Sequence, residues 1–203
     1  MKGILGVSGT FAPAAVAPRP QKDMRALVRE LIETVILALM IFLALQISIQ
    51  NFRVEGPSMQ PTLEEGQYLI ANKLVYLRFN PSSLRSLLPF VDDGDDEDVF
   101  AFHPPRKGEI IIFRFPRDPS RDFVKRVIAV PGDKLEVKDN VLYVNGEMLE
   151  NAPVRTSQKR NIPPEVLPGS YFVMGDNRRS SLDSRDWGSV PSELLIGRGW
   201  VIY

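Results

Sequence analysis

The chain has 203 residues, with 25 lysines and arginines, 25 aspartates and glutamates, one histidine and no cysteine. This length allows one domain with a sizeable hydrophobic core, and the zero net charge argues against a general nucleic-acid-binding protein, which needs a positive field to offset phosphates. The lack of cysteine excludes disulfides, Cys-ligated zinc, iron–sulfur clusters and a thiol nucleophile, and a single histidine excludes any metal site built on two histidines.

The first predicted region is a polar leader over residues 1–28. The part up to about Pro20 is rich in proline and alanine, a composition that buries too little apolar surface to fold alone. The positive charges that most closely precede the apolar run at Leu31–Ile49 are Arg19, Lys22, Arg25 and Arg29. We therefore expect residues 1–28 to be disordered and cytoplasmic.

The second predicted region is a single transmembrane helix over residues 29–50. Leu31 to Ile49 reads LIETVILALMIFLALQISI and has no polar side chain between Val35 and Leu45. A helix of about 20 mostly apolar residues is long enough to cross the hydrocarbon layer. Basic residues precede this run, so the positive-inside rule places the N-terminus in the cytoplasm and residues 51–203 outside it.

Two other interpretations of the apolar run fit the sequence less well. A cleaved signal peptide would also follow positive charges, but here a polar leader of about thirty residues comes first and no small-x-small cleavage signal follows. A buried core helix would show a polar stripe, whereas this run is apolar all round. The sequence therefore favours an anchor held in membrane lipid, at the plasma membrane.

Residues 51–203 predict a mostly β domain of antiparallel sheets, twisted and partly closed so that few strand edges are exposed. Runs rich in β-branched and aromatic residues predict the strands. These runs are Gln67–Lys73, Glu109–Phe115, Phe123–Val130, Leu135–Lys138, Val141–Val144, Glu147–Leu149, Tyr171–Met174 and Trp200–Tyr203. The pairs Asp139-Asn140 and Asn145-Gly146 predict tight turns between neighbouring strands.

Residues 80–107 interrupt the strand pattern with a variable acidic insertion. Six acidic residues between Asp92 and Asp98 surround one glycine, and His103-Pro104-Pro105 follows. The acidic run lacks the alternate-position spacing and the terminal glutamate of a calcium-binding loop. We therefore expect a solvated loop, and the sequence indicates neither a metal site nor a cofactor.

Ser58 is the one serine whose surroundings suggest chemistry. Gly56, Pro57 and Pro61 impose an irregular backbone that can expose the hydroxyl and aim neighbouring N–H groups at one point. Gly-Pro-Ser is also ordinary turn chemistry, so the residues alone leave both interpretations open. A Ser-His-Asp triad would require His103, whose proline-rich surroundings indicate a loop histidine instead.

Lys125 is a candidate base for Ser58. Only about one lysine in a thousand is neutral near pH 7.4, but burial can lower the pKa to about 7–8. Strand alternation places Lys125 on one face with Phe123 and Val127, and Arg126 on the other face. The pattern is equally consistent with a buried and with a solvated Lys125 face.

Taken together, these segments resemble the type I (leader) signal peptidases, membrane-bound serine proteases that use a Ser/Lys dyad. The resemblance extends from the anchor to Tyr203 and excludes the leader and residues 80–107. It rests on four blocks in order, Glu55–Leu63 (EGPSMQPTL), Gln67–Tyr76 (QYLIANKLVY), Phe123–Asp133 (FVKRVIAVPGD) and Gly175–Gly188 (GDNRRSSLDSRDWG). It implies a β-rich catalytic core with a second, more variable β region.

The resemblance implies that Ser58 is the nucleophile and Lys125 the general base, acting through an acyl-enzyme. The Ser58 backbone N–H would donate to the oxyanion. Some family members have a serine two residues before the nucleophile as a second donor. That position is Gly56 here, so the second donor must come from elsewhere.

Three further residues match supporting positions of the family. Ser181 matches the serine that hydrogen-bonds and orients the base lysine, and Asp183 with Arg185 matches an ion pair that supports the site. The common NRDNS sequence is NRRSS at Asn177–Ser181, so its third and fourth residues depart from the family pattern.

The resemblance also implies the substrate, an exported preprotein with a signal peptide and small residues at −1 and −3, bound extended against a strand edge. Two rival functions are a related self-cleaving Ser/Lys protease and a non-catalytic membrane-tethered β module. The anchor and the last block argue against the self-cleaving protease, which is typically soluble. In the module Ser58 and Lys125 would be a turn serine and a surface lysine, and replacing either would leave its function intact. The sequence does not indicate an oligomeric state.

Overall fold

The computed structural model describes residues 24–79 and 99–203. Most of the predicted leader and the whole acidic run therefore lie outside the described residues. The chain divides into two compact units, residues 1–42 and residues 43–203. The described part of the first unit is entirely helical.

Helix α1 spans Met24–Ser48 and continues into the start of the second unit. Its start corrects the prediction of a disordered leader up to residue 28, because the segment after Asp23 contains neither glycine nor proline and favours helix. It also ends two residues before the predicted end of the anchor. No helix within the described ranges satisfies the combined length and hydropathy criterion for a membrane span.

The second unit is mostly β, with every described strand pairing antiparallel, as predicted. Its strands are β1 (Ile49–Arg53), β2 (Tyr68–Asn72), β3 (Arg78–Phe79), β4 (Val99–Phe100), β5 (Ile110–Phe115), β6 (Asp118–Ala129), β7 (Leu135–Lys138), β8 (Val141–Val144), β9 (Glu147–Pro153), β10 (Ser170–Met174), β11 (Val190–Pro191) and β12 (Leu195–Ile202). A short helix, α2, spans Ser184–Trp187, and single 3-10 turns occupy Leu74–Tyr76, Lys159–Asn161 and Ser192–Leu194.

One large sheet carries the candidate site. Its strand order is β1-β2-β12-β5-β6-β10-β11, and the smaller sheets are β7-β8-β9 and β3-β4. The turns of the β7-β8-β9 sheet form as predicted, since Asp139 and Asn140 have φ values of 50° and 61° and Asn145 and Gly146 have 53° and 84°. Such left-handed pairs match the twist of antiparallel strands.

The large sheet is buried on both faces around β5. Ile111 and Phe113 pack into one apolar cluster with Val127 and Tyr171, while Ile112 packs into another with Leu69. This two-sided burial explains why the strand reads as a continuous apolar run rather than an alternating one. A third cluster joins the β7-β8-β9 sheet to the buried side chains of β6 and β10.

The predicted strands are all present, but β6 and β12 each begin five residues earlier than predicted and β10 begins one residue earlier. β6 begins at Asp118 and β12 at Leu195. The polar residues at the start of β6 and the glycines at the start of β12 interrupt the run of β-branched and aromatic residues that predicts a strand. The sequence does not predict β1, because Ile49 and Gln50 continue the apolar run of the helix. These residues pair with β2 instead, Ile49 opposite Asn72 and Gln50 opposite Ala71.

Candidate active site

Ser58 lies on a turn that begins directly after β1 and is fixed in position by side chains packed into the hydrophobic core. Val54, Met59 and Leu63 on either side of it are buried in the same apolar cluster. Gly56 has φ +76°, in the left-handed region that residues with a side chain rarely adopt. The buried side chains and the glycine therefore fix a turn on which Ser58 is half-buried.

Lys125 faces the protein interior. It lies opposite Ile111 in the β5–β6 ladder and is 4% exposed. Its Nζ donates a hydrogen bond to Ser58 Oγ at 2.7 Å and lies 5.3 Å from the centre of the Phe123 ring. The face that the sequence pattern left undecided is therefore the buried one, and it brings the two candidate residues into contact.

Burial changes the proton affinity of Lys125. It lowers the pKa of the amine from 10.5 to about 8, and the nearby carboxylates of Asp183 and Asp176 act in the opposite direction. At that pKa about a fifth of the molecules carry a neutral amine near pH 7.4, compared with about one in a thousand for a solvated lysine. A neutral Nζ can accept the Ser58 hydroxyl proton across the same contact.

The segment after β10 closes on the Ser58 turn. The Asn177 N–H donates to the Ser58 carbonyl oxygen at 3.1 Å. Gly175 packs so closely that a Cβ built on it would lie 2.3 Å from both that carbonyl oxygen and Ser181 Oγ. Glycine at this position therefore allows the two segments to meet.

Ser181 is buried beside this contact, but its hydroxyl has no hydrogen-bond partner among the described residues. The predicted hydrogen bond between Ser181 and Lys125 is therefore not formed in this structure. The hydroxyl instead lies next to Gly175 and the Ser58 carbonyl oxygen. There is room for it because residue 175 is a glycine and has no side chain.

The predicted ion pair between Asp183 and Arg185 is present and fully enclosed. Arg185 Nε and Nη2 each donate to a different Asp183 oxygen at 2.8 Å, and the two side chains are 0% and 2% exposed. Asp183 also accepts the Gly175 N–H at 3.2 Å, and Arg185 donates to the carbonyl oxygens of Pro153 and Arg178 at 2.7 Å each. The pair therefore ties the Gly175 segment to two other parts of the chain.

A second ion pair near the site was not predicted. Arg126 donates to both Asp176 oxygens, at 2.8 and 2.6 Å, and its third contact is the Gly108 carbonyl at 2.6 Å. It also reaches Thr62 Oγ1 at 3.4 Å, on the turn that carries Ser58. Arg126 and Asp176 both lie inside the blocks that carry the family resemblance, but no sequence pattern pairs them with each other.

Ser58 and Lys125 open into a cleft of about 520 Å³. The cleft is lined by Phe52, Arg53, Val54, Glu55, Ser58, Leu69, Ile112, Arg121, Asp122, Phe123, Val124, Lys125, Ser180 and Leu182. Its lining comes from β1 and β2 on one side and β5 and β6 on the other, so the sheet curves around it. β10 pairs with β6 only from Arg126 onward among the described residues. The earlier part of β6 and the outer strand β1 therefore offer free strand edges.

A comparison with protein families decides the relationship of this chain. The family described as "Signal peptidase, peptidase S26" matches residues 28–203. The chain belongs to that family. The match runs through residues 80–107, which the resemblance in the sequence had excluded.

Two sequence relatives agree with the family assignment. "Probable signal peptidase I-1" of Synechocystis is 33% identical over 179 residues, covering 84% of this chain and 79% of the relative. "Signal peptidase I" of Bacillus caldolyticus is 35% identical over 163 residues, covering 73% and 75%. A crystal structure of a signal peptidase I from Enterococcus faecalis is 31% identical with a TM-score of 0.37, covering 47% of this chain and 97% of that one.

Proposed function

We propose that this protein is a membrane-anchored serine endopeptidase that removes signal peptides from exported preproteins, with Ser58 as nucleophile and Lys125 as general base. Membership of the signal peptidase family supports the reaction. One observation carries the assignment of the pair, the 2.7 Å contact between Ser58 Oγ and a lysine that is 4% exposed. A lysine buried in this way can act as a base near neutral pH.

The reaction follows from this contact in two steps. Neutral Lys125 Nζ accepts the Ser58 hydroxyl proton as Oγ attacks the scissile carbonyl, and the ammonium then returns the proton to the leaving amine. This leaves an acyl-enzyme on Ser58 and a neutral Lys125. In the second step Lys125 takes a proton from water, whose oxygen attacks the ester. The Lys125 ammonium then protonates the departing Ser58 Oγ, and the new carboxylic acid loses its proton to solvent as it is released.

The oxyanion of each tetrahedral intermediate needs hydrogen-bond donors. The Ser58 backbone N–H is the first donor that we propose. Gly56 has no side chain to offer, so its contribution is conformational. It allows the turn that directs the Ser58 backbone N–H toward the cleft. The second donor is then a backbone N–H or another group.

Ser181, Asp183 and Arg185 support the pair in our proposal. The enclosed ion pair holds the Gly175 segment against the Ser58 turn through the Asp183 to Gly175 N–H contact. A buried hydroxyl without a partner costs free energy until it finds one. We therefore propose that the Ser181 hydroxyl engages Lys125 when substrate enters, since catalytic contacts often tighten only in the substrate complex.

The cleft suits an extended peptide with small side chains near the cleavage site. Its free strand edges can bind a substrate backbone as an added strand. Its floor is apolar, formed by Phe52, Val54, Leu69, Ile112 and Val124. Alternate residues of an extended substrate point to the same side. Small residues at −1 and −3 would therefore meet this floor together.

We propose further that residues 29–48 of α1 anchor the protein in the plasma membrane, with residues 1–28 cytoplasmic and residues 51–203 extracytoplasmic. The apolar run and the basic residues before it support this topology. From Gln50 to Ser58 the chain spans at most about 30 Å. The nucleophile would then work close to the lipid surface, where a signal peptide emerges.

The topology can be tested in sealed membrane vesicles. The protein should stay with the membrane after alkaline carbonate extraction. Protease added to right-side-out vesicles should degrade residues 51–203 and spare the N-terminal leader. Release by carbonate, or protection of residues 51–203 in these vesicles, would contradict the proposed topology.

The catalytic pair can be tested with a preprotein that carries Ala at −1 and −3. Ser58→Ala and Lys125→Ala should each abolish cleavage, and Lys125→Arg should fail as well because a guanidinium stays protonated. Ser180→Ala, at a serine that lines the same cleft, and Lys134→Ala, at an exposed lysine, are matched controls that should cleave at the wild-type rate. Turnover of the preprotein by a Ser58→Ala or Lys125→Ala protein that folds normally would refute the Ser58/Lys125 pair.

A further inference from the structure

Arg121 is a cleft residue to which the proposed reaction assigns no task. Its guanidinium carbon lies 5.3 Å from the centre of the Phe123 ring and 5.9 Å from that of Phe115. These two rings stack on each other at 4.8 Å with an interplanar angle of 5°. A guanidinium held against aromatic rings keeps its N–H donors available in a fixed orientation.

The positive charge of Arg121 has no direct acidic partner in the part of the chain that the structure describes. No ion pair or side-chain hydrogen bond joins it to any acidic residue within the described ranges. The pKa of Asp118 is lowered by its hydrogen bonds to Ser120 and, to a smaller extent, by the Arg121 charge. The neighbouring Asp122 projects from the other face of β6, because successive residues of a strand alternate. Arg121 is exposed in the cleft, so a substrate group can approach its free donors.

The distance from Arg121 to the reacting atoms follows from their shared contact with Phe123. Lys125 Nζ and the Arg121 guanidinium carbon each lie 5.3 Å from the centre of that ring. They are therefore at most about 11 Å apart. An extended peptide rises about 3.3 Å per residue, so Arg121 can meet a substrate residue up to about three positions from residue −1.

The strand directions decide on which side of the cleavage site that residue lies. β1 and β6 are separated by four antiparallel steps in the sheet, so both run in the same sense. β1 starts where α1 ends and leads toward Ser58, and β6 leads from Arg121 toward Lys125. β1 follows α1 directly along the chain, so Arg121 lies at the end of the cleft where β1 begins, and the signal-peptide part of a substrate would enter at that end.

The face of the strand then selects one position. Val124 belongs to the apolar floor, and Arg121 with Phe123 projects from the opposite face of β6. Residues −1 and −3 would point to the floor, so −2 and −4 point to the Arg121 face. Of these two, −4 lies three residue rises from −1, about 10 Å, which is within the upper limit of about 11 Å. Position −2 would require Arg121 and Lys125, four residues apart on β6, to converge on neighbouring substrate residues. Arg53 is a second arginine of the cleft lining, which also contains the carboxylates of Glu55 and Asp122.

We propose that Arg121 is a specificity residue that binds an acidic side chain at substrate position −4. The proposal deepens the proposed function and rests on it. The matched pair of substrates are preproteins that carry Ala at −1 and −3 and differ only in Glu or Lys at −4. In detergent without anionic lipid, the wild-type protein should cleave the Glu substrate with a kcat/KM about tenfold higher.

Three variants test the assignment. Arg121→Gln should bring the ratio of the two kcat/KM values close to one, and Arg121→Glu should invert it. Arg114→Gln is the matched control, an exposed arginine of the adjacent strand that does not line the cleft, and it should keep the wild-type ratio. A ratio that Arg121→Gln leaves unchanged would overturn the proposal.

Two further measurements exclude other origins of the effect. Moving the Glu/Lys pair to −2 or −5 should reduce the discrimination, and an equal or larger effect there would refute position −4. The preference for Glu over Lys at −4 should not depend on added phosphatidylglycerol vesicles. If Arg121→Gln changes kcat/KM only when anionic lipid is present, and equally for both substrates, Arg121 binds the membrane surface instead. Failure to cleave a substrate with Gln at −4 would count against the proposed function itself, separately from Arg121.

Discussion

At the scale of single residues, the burial of Lys125 has two opposite effects. It makes the amine a usable base near neutral pH, and it costs folding free energy because the charged amine loses its hydration. Desolvation disfavours the charged form and lowers the pKa to about 8. The same burial leaves the amine with few alternatives to Ser58 as a hydrogen-bond partner. Activity and stability should therefore respond to pH through this one group, in ways that can be measured separately.

The pH dependence of catalysis reports the protonation of Lys125 in the free enzyme. The neutral amine is the active form, so kcat/KM should rise about tenfold per pH unit below pH 8 and level off above it. Initial rates with an Ala-x-Ala preprotein between pH 6 and pH 10 measure this profile. A flat profile between pH 6 and pH 8 would contradict a lysine base with this pKa.

The same shift predicts that Lys125→Met stabilises the protein while abolishing cleavage. The folded-state pKa lies below that of the unfolded chain, so the unfolded state binds more protons between pH 8 and pH 10.5. The penalty on folding is fully present below pH 8 and disappears as the pH rises past 10.5. Methionine of similar size should remove a penalty of up to about 3 kcal/mol at pH 7.

Urea unfolding in detergent at pH 7 and at pH 10.5 tests this prediction. The variant should gain free energy of unfolding over the wild-type protein at pH 7, and the difference should shrink at pH 10.5. Lys107→Met serves as a control, because that amine is paired with Asp133 and its replacement should destabilise the protein. Equal stability of Lys125→Met and wild type at pH 7 would indicate that Lys125 carries no such penalty.

At the scale of elements, the strands were predictable because each buried run keeps its β-branched and aromatic residues together. The Asp139-Asn140 turn was predictable because few residues tolerate left-handed backbone. β1 was not, since an apolar residue such as Ile49 suits the end of a helix as well as an edge strand. α2 has only four residues, too few for any periodicity.

Contact between two elements leads to a prediction for Gly175, where the end of β10 meets the Ser58 turn. Gly175→Ala would place a Cβ 2.3 Å from the Ser58 carbonyl oxygen and 2.7 Å from Ser181 Cβ. Backbone and a buried serine can give way only by moving, so the nucleophile should shift. We expect kcat to fall at least about a hundredfold, because small displacements of reacting groups are costly.

Gly132→Ala separates crowding from backbone strain. Gly132 has φ +85°, and no atom lies within 4 Å of the position that a Cβ would take, so alanine there meets strain but no neighbour. It should lose about 1 kcal/mol of stability and keep its kcat. Measured kcat and urea unfolding of both variants distinguish the two effects. A Gly175→Ala protein with normal kcat would show that the close approach is not needed.

At the scale of the whole molecule, the site is assembled from segments far apart in the chain, and this limited what the residues alone could predict. Ser58 and Lys125 are separated by 67 positions, and nothing in either strand pattern requires their contact. The family resemblance supplied the pairing. The contact of Arg126 with Asp176 and Thr62 depends on three-dimensional packing, so periodicity and turn chemistry do not indicate it.

The enclosed Asp183–Arg185 pair provides a test of how strongly these segments depend on one another. Arg185→Met leaves a 0% exposed carboxylate without its partner, which should cost about 3–5 kcal/mol of unfolding free energy. Asp183→Asn leaves the buried guanidinium with a weaker partner and should also destabilise the protein. The double variant should cost clearly less than the sum of the single costs, because neither charge is then left uncompensated.

Urea unfolding of the wild type and these three variants gives the coupling energy of the pair. The exposed pair between Lys138 and Glu136 is the matched control, and the same cycle on it should give less than about 1 kcal/mol. Because Asp183 accepts the Gly175 N–H and Arg185 holds Pro153 and Arg178, we expect cleavage activity to be lost along with stability in both single variants. Additive costs at Asp183 and Arg185, or single variants with full activity, would show that the pair does not hold the Ser58 turn in place.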